Sequence, residues 1–226
     1  MYQTEVDGKH YELGTSGFLY RSNKLMYDHE SESFWSTLQG TPVVGPLVDK
    51  GIELKRRHVV TTTWKKWRSR HPDTTVLSLE TGHRRDYGEG VAYHDYFATD
   101  KLMFDVPSED DRLLNKDHVF ALRHGNDQVA IAIDYLKKKK VHAEKVGDIE
   151  VVIFADESGT SRAFESKGLT FEDFNGIDEV TDSKGQTWKL SESELSRGDQ
   201  KLARVPSHRV FWFGWRSQYP ETRLVK

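Results

Sequence analysis

The alternation of apolar and polar positions begins at the first residues. Tyr2-Gln3-Thr4-Glu5-Val6 and Lys9-His10-Tyr11-Glu12-Leu13 flank Asp7-Gly8, and Asp-Gly between two alternating runs predicts a β-hairpin. Residues 18–22, 24–28 and 33–38 continue the extended pattern around a polar turn at 29–32. Val43-Val44 stands between glycines and prolines at 40–46, which bound a short strand. Residues 52–60 are rich in β-branched side chains and lead into Thr61-Thr62-Thr63, each able to cap a helix that starts at Trp64. Further strands are predicted at 75–79, 118–124 and 128–134, followed by a short helix at 135–140. Ile149-Glu150-Val151-Val152-Ile153-Phe154 is the strongest buried-strand signal in the chain.

One stretch is spelled twice. Residues 64–74 read W-K-K-W-R-S-R-H-P-D-T and residues 212–222 read W-F-G-W-R-S-Q-Y-P-E-T. Tryptophans three apart share one helix face, and the proline that follows tends to end the helix. Four of the six tryptophans fall in this pair, so the pattern reads as an internal duplication. Residues 182–188 (D-S-K-G-Q-T-W) likewise answer residues 28–35 (D-H-E-S-E-S-F-W). The expected fold is mainly β with short helices (α+β), built from one and a half to two copies of a β-rich unit around a shared core. Residues 1–80 form an N-terminally incomplete first repeat, 81–117 a long connecting loop region and 118–226 the second repeat, all in one globule.

Composition narrows the classes of function. With 36% hydrophobic, 31% charged and 12% aromatic residues, the 226-residue chain suits a folded domain with a strongly charged surface. A net charge of −3 gives no global attraction to nucleic acid. No run approaches the ~18 apolar residues that cross a bilayer as a helix, and no signal-peptide pattern opens the sequence. Without cysteine, disulfides, thiolate metal sites and cysteine nucleophiles are excluded within the chain.

The loop 81–96 concentrates candidate chemistry: Arg84, Arg85, Asp86, Tyr87 and Tyr93 supply planar donors, an acceptor and phenols, with His83 and His94 nearby. Residues 16–28 depart most from their counterpart in the second copy. They add Tyr20, Tyr27 and Asp28, so the predicted ligand-binding set is Tyr20, Asp28, Arg84, Arg85, Asp86 and Tyr87. The ordinary structural alternative is an arginine–aspartate clamp that pins the loop to the sheet. No histidine pair has H-x-x-x-H or H-x-H spacing, so His83, His94, His124 and His142 do not predict a metal site, and no cofactor motif is found. Glu109-Asp110-Asp111 lacks the alternation of a calcium loop and reads as a solvated turn. Ser16 and Ser158 lack the G-x-S-x-G elbow of a serine hydrolase. Lysines 137–140 could touch phosphate, but four lysines with no aromatic interleaving read first as a solvated helix end.

Residues 16–35 (S-G-F-L-Y-R-S-N-K-L-M-Y-D-H-E-S-E-S-F-W), 40–47 (G-T-P-V-V-G-P-L), 67–74 (W-R-S-R-H-P-D-T) and 81–88 (T-G-H-R-R-D-Y-G) carry a resemblance across essentially the whole chain. It resembles the bacterial and archaeal domain-of-unknown-function family 3179. The resemblance implies two copies of a β-rich unit, often exported or lipid-anchored, hence an extracytoplasmic setting. It implies no activity. Such proteins usually carry a C-P-L-[C/T]-G-T-A-like motif ahead of the first hairpin. Here the first copy begins after that place, which suggests a fragment or short member. In the second copy the matching stretch is residues 155–161, A-D-E-S-G-T-S, without cysteine. The expected function is a non-enzymatic domain that binds a small molecule or protein. The alternative is an enzyme whose site lies between the repeats and uses the loop 81–96.

Overall fold

The computed structural model describes residues 1–107 and 110–226. Ser108 and Glu109, within the acidic turn expected at 108–112, lie outside the described residues. The protein is mainly β, 39% strand and 12% helix. The C-terminal part is a stack of layers explained by side-chain alternation. Strands β9 (His118–His124) and β10 (Asp127–Ala132) form a hairpin that leads into helix α3 (Ile133–Lys139). Then come β11 (Val141–Val146), β12 (Ile149–Ala155) and β13 (Ser161–Glu165), an antiparallel sheet. A five-stranded antiparallel meander follows, made of β14 (Phe171–Phe174), β15 (Glu179–Asp182), β16 (Thr187–Leu190), β17 (Glu194–Arg197) and β18 (Gln200–Ala203). The chain closes with β19 (Ser207–Phe211), helix α4 (Trp212–Gln218) and β20 (Arg223–Val225). These last strands flank the first hairpin in the order β19-β9-β10-β20, with β20 parallel to β10.

Strand β12 is covered on both faces, which is why it reads as a near-continuous apolar run. Val151, Ile153 and Ala155 pack with Phe120, Leu122, Val129 and Ile131 of the β9–β10 sheet. Val152 and Phe154, pointing the other way, pack with Phe174, Val180, Trp188 and Leu195 of the meander. The hairpin shows the same two-residue period: Val119, Ala121 and Ala130 face away from β12 and bury Trp212 and Trp215 of α4 and Tyr219 just after it.

The N-terminal part is thinner. It comprises β1 (Tyr2–Gln3), β2 (Glu5–Val6), β3 (Lys9–His10), β4 (Leu13–Tyr20), β5 (Asn23–Asp28), β6 (Phe34–Ser36), β7 (Pro42–Val44), β8 (Lys55–Arg56) and α1 (Trp64–Arg70). β2 and β3 form the opening hairpin, with Asp7 and Gly8 at φ 50° and 78°. β4 to β7 form a four-stranded meander, and β1 pairs with β8. Its core cluster is formed by the buried Tyr11, Trp35 and Leu54, joined by the half-buried Tyr2, Val6, Leu13, Leu47 and Ile52. Among the described residues, the buried hydrophobics thus resolve into four clusters, where one continuous core was expected. The strand expected at 75–79 is also absent: those residues are exposed coil, with Leu77 96% exposed. No neighbouring edge pairs with them, and a lone apolar alternation does not make a strand. A short helix, α2 (His94–Ala98), ends the loop that was expected to run to residue 96.

Candidate functional site

The two tryptophan segments share their local geometry. Both are seven-residue helices. Each is followed by a residue at φ −131° whose N–H bonds back to the second tryptophan, His71 to Trp67 and Tyr219 to Trp215. The Trp67 indole donates to Thr74 Oγ1 at 3.0 Å and the Trp215 indole to Thr222 Oγ1 at 2.9 Å. Trp67 packs on His71 and Trp215 on Tyr219, ring centroids 4.1 and 4.4 Å apart. The Asp–Trp hairpins agree as closely: the Trp35 indole donates to buried Asp28 and the Trp188 indole to buried Asp182, at 3.0 and 2.9 Å.

Their surroundings differ. Every residue of α4 is buried, whereas no residue of α1 is, and Trp64 is 49% exposed. The β9–β10 sheet covers α4, whereas among the described residues no hydrophobic core cluster includes a residue of α1. Packing as the reason for tryptophan therefore holds in full only for Trp212 and Trp215. Thr63 is the residue that caps α1, its hydroxyl accepting from the Lys66 N–H.

The residues predicted to bind ligand do not assemble into one network. Both carboxylate oxygens of Asp28 serve its own turn: Oδ1 accepts from the Glu30 and Ser31 N–H groups, and Oδ2 from the Ser31 hydroxyl and the Trp35 indole. Burial pushes its carboxyl up, and these hydrogen bonds outweigh that and hold it below the usual range. Tyr20 offers its carbonyl to Gln218 and its ring to Arg21. Arg84, Arg85, Asp86 and Tyr87 are exposed. Asp86 caps the Gly88 N–H and Tyr87 bonds Thr81, both within the loop. Among the described residues, Arg85 and Asp86 neither pair with each other nor reach Tyr20, Tyr27 or Asp28 by a hydrogen bond or ion pair. Of the other candidates, the Ser16 hydroxyl donates to the Leu25 carbonyl and His124 and His142 pair with Asp148 and Glu144.

A cavity of about 470 Å³ lies instead between α1, the loop 156–160 and the β14–β15 turn. The loop is shaped by Asp156. Its Oδ1 accepts from the Ser158 N–H (2.8 Å), the Ser158 hydroxyl (2.6 Å) and the Thr160 N–H (3.2 Å). Gly159 sits at φ 80°, where a Cβ would meet Ile133 Cγ2 at 2.5 Å, so only glycine fits. From α1, Lys66 reaches Asp156 Oδ2 at 2.8 Å, and the Thr160 hydroxyl donates to Thr62 Oγ1 at 3.2 Å. Burial raises the Asp156 carboxyl, but Lys66 and Ser158 more than offset it and keep it ionised.

Two of the lining residues, Arg70 and Arg162, converge on a carboxylate behind the cavity, Glu192. Arg162 binds Glu192 through Nε (3.1 Å) and Nη2, Arg70 through Nη1 (2.9 Å), and Arg204 stands 3.7 Å away. Arg70 also donates to the Ile177 carbonyl, which ties the end of α1 to the β14–β15 turn. Burial would raise Glu192, yet Arg162, Arg204 and Arg70 hold it below the usual carboxylate range. Burial, with Arg162 beside it, brings the Arg204 guanidinium down to about 10.

Lys140 belongs to the lysine run 137–140, but none of Lys66, Arg70, Arg162, Asn175 or Glu192 stands out in the sequence, although two further signals were there. Lys66 occupies the position that is Gly214 in the other tryptophan helix. The loop 156–160 replaces the cysteine motif that the resemblance leads one to expect.

The family model described as "Protein of unknown function (DUF3179)" matches residues 1–222. No curated protein and no solved structure matches the chain.

Proposed function

The chain belongs to the DUF3179 family, and on that premise we propose that it is a binding domain, not an enzyme, whose ligand occupies the cavity beneath α1. The observation that carries this reading is the way α1 is held. A helix with no buried residue is tied over a concave site by polar contacts through Lys66, Arg70 and, just before it, Thr62. Such ties are individually weak at a surface, so the wall they form is easily adjusted to a guest. The non-enzymatic reading is supported by saturation of the reactive groups. Asp156 is engaged by its loop and Lys66, the Ser158 hydroxyl donates to it, and Glu192 is clamped by arginine, so none of these three is a free base or an activated nucleophile.

The reading of the chain as two copies of one unit belongs to the same proposal. It is supported by the matched helix ends and Asp–Trp hairpins, and by turn pairs of the same conformation, Asp7-Gly8 at φ 50° and 78° and Lys167-Gly168 at 49° and 78°. An extracytoplasmic setting is proposed on the resemblance alone.

The test is a fragment screen on the full chain read by amide chemical shifts. Fragments that bind should move amides at 62–70 and 156–160. Ser69→Trp, which places an indole in the lining, should abolish the effect while leaving the remaining spectrum intact. Fragments that bind only elsewhere, or that ignore Ser69→Trp, would refute the proposal.

A further inference from the structure

The chemistry of the cavity is lopsided. Lys66, Arg70, Lys140 and Arg162 line it against Asp156 and Glu157, with the Arg204–Glu192 pair behind: four lining cations to two lining carboxylates, in a chain whose net charge is −3. The acceptors are largely consumed internally, since Asp156 is held by its loop and Lys66, and Glu192 by arginines. Asn175 behaves likewise. Its Oδ1 accepts the N–H groups of Ile177, Asp178 and Glu179 at 2.8, 3.0 and 3.1 Å. Three donors on one oxygen settle the orientation of the amide, and among the described residues its NH2, two N–H donors, has no hydrogen-bond acceptor.

Lys140 completes the donor set. It stands at φ 60° at the end of α3, fixed by its N–H to the Leu136 carbonyl and by its own carbonyl to the Ala155 N–H. Its ammonium has no ion pair or hydrogen bond among the described residues. Glu157 alone opposes this trend, an exposed carboxylate on the rim. A site that spends its acceptors on itself and presents N–H donors under surplus positive charge selects acceptor-rich, negative ligands.

We infer that the ligand of this cavity carries a carboxylate or phosphate group, and that Lys140 and the Asn175 NH2 are the donors that recognise it. The inference rests on the cavity being the binding site.

The full chain, ¹⁵N-labelled, is titrated with inorganic phosphate, with succinate and with 1,4-butanediol, the neutral counterpart of succinate, at ionic strength held constant with sodium chloride. Phosphate or succinate should move the amides of Lys66, Lys140 and Gly176 saturably, and butanediol should not. The tighter of the two anions identifies the group. Lys140→Gln should weaken binding about tenfold or more, the loss expected for one charge-assisted hydrogen bond. Asn175→Asp keeps the oxygen that caps the turn but replaces the NH2 with a negative acceptor, so it should abolish binding with the melting temperature unchanged. Saturable binding that ignores both variants would mean an anion held elsewhere and would overturn the inference. Butanediol moving these amides while the anions do not would overturn the anionic class and leave the cavity as a binding site. If none of the three probes moves them, both readings fall.

Discussion

Glu192→Gln is the sharpest probe of the arginine cluster, because it removes a charge and keeps the shape. In the native protein one carboxylate answers Arg162, Arg70 and Arg204, with side-chain exposures of 4%, 30% and 1%. Taking away one partner of a buried ion pair costs about 3–5 kcal/mol, because the other charge stays buried and unpaired. Glu192 is 39% exposed, so water screens part of its effect, and the amide oxygen still accepts a hydrogen bond. The expected loss is therefore roughly 2–3 kcal/mol. That corresponds to a urea midpoint lower by about 1 M for a chain of this size. Tryptophan fluorescence suits the assay, since Trp35, Trp188, Trp212 and Trp215 are all buried. The pH dependence has a defined sign. The folded Glu192 carboxyl is held below its unfolded value, so its contribution is present above the unfolded pKa and is lost as pH falls through the folded one. The variant should thus show a flatter acid limb. A midpoint shift equivalent to less than about 0.5 kcal/mol, the scale of an ordinary surface change, would refute the claim that the three arginines depend on this carboxylate.

Trp212→Ala should cost about 3–5 kcal/mol, and Trp64→Ala, at the matching position of α1, about 0.5–1 kcal/mol; equal losses in urea would contradict the difference in burial. The His208 imidazole is brought down to about 4 chiefly by burial, with the amino terminus, Arg56 and Arg123 adding to it. The unfolded chain therefore takes up this proton first, and stability should fall between about pH 6.5 and 4, by about 3 kcal/mol at most. His208→Gln should remove that part of the pH dependence in urea melts, and an unchanged slope would refute the assignment. Arg85→Ala should leave stability within about 0.5 kcal/mol, because the side chain is exposed and untied. If it abolished ligand binding at unchanged stability, the loop 81–96 would belong to the site.

The elements that were legible in the sequence are those whose signal is local. Asp7-Gly8 marks its hairpin because the turn needs positive φ. The run at 149–154 marks a strand because both of its faces are covered. Residues 75–79 alternate convincingly but have no partner strand, and pairing is a property of the whole fold. The site was illegible for the same reason. Lys66 and Asp156 lie ninety residues apart, and Arg162, Glu192 and Arg204 come from separate elements, so only the folded chain brings them to one cavity. The loop 81–96 carried attractive residue types, but no scaffold holds them against Asp28, whose carboxylate a nearby indole and turn already claim.

The cavity at α1 is larger than the one that Leu19, Ser22 and Phe213 help to line at α4, about 470 Å³ against 190 Å³, and the two hairpins differ in length. Each meander sends the turn between its first two strands toward the tryptophan helix of the other part. β4–β5 is the longer of the two, with strands of eight and six residues against four and four for β14–β15. Its extra length carries Arg21 and Asn23 onto α4, where they donate to the carbonyls of Ser217 and Gly214 at 3.0 and 3.3 Å, while Gln218 donates to the Tyr20 carbonyl. A Cβ at Gly214 would lie 3.3 Å from Asn23 Oδ1, so the hairpin comes in as close as a glycine allows. At α1 the shorter turn reaches only as far as the Arg70–Ile177 contact. The position that is glycine in α4 is Lys66 here, and its side chain spans to Asp156 through space that a longer hairpin would fill. Lengthening the β14–β15 turn at Gly176 to match β4–β5 should therefore close the cavity and abolish binding without disturbing the meander. Unimpaired binding in that variant would show that the ligand does not depend on this space.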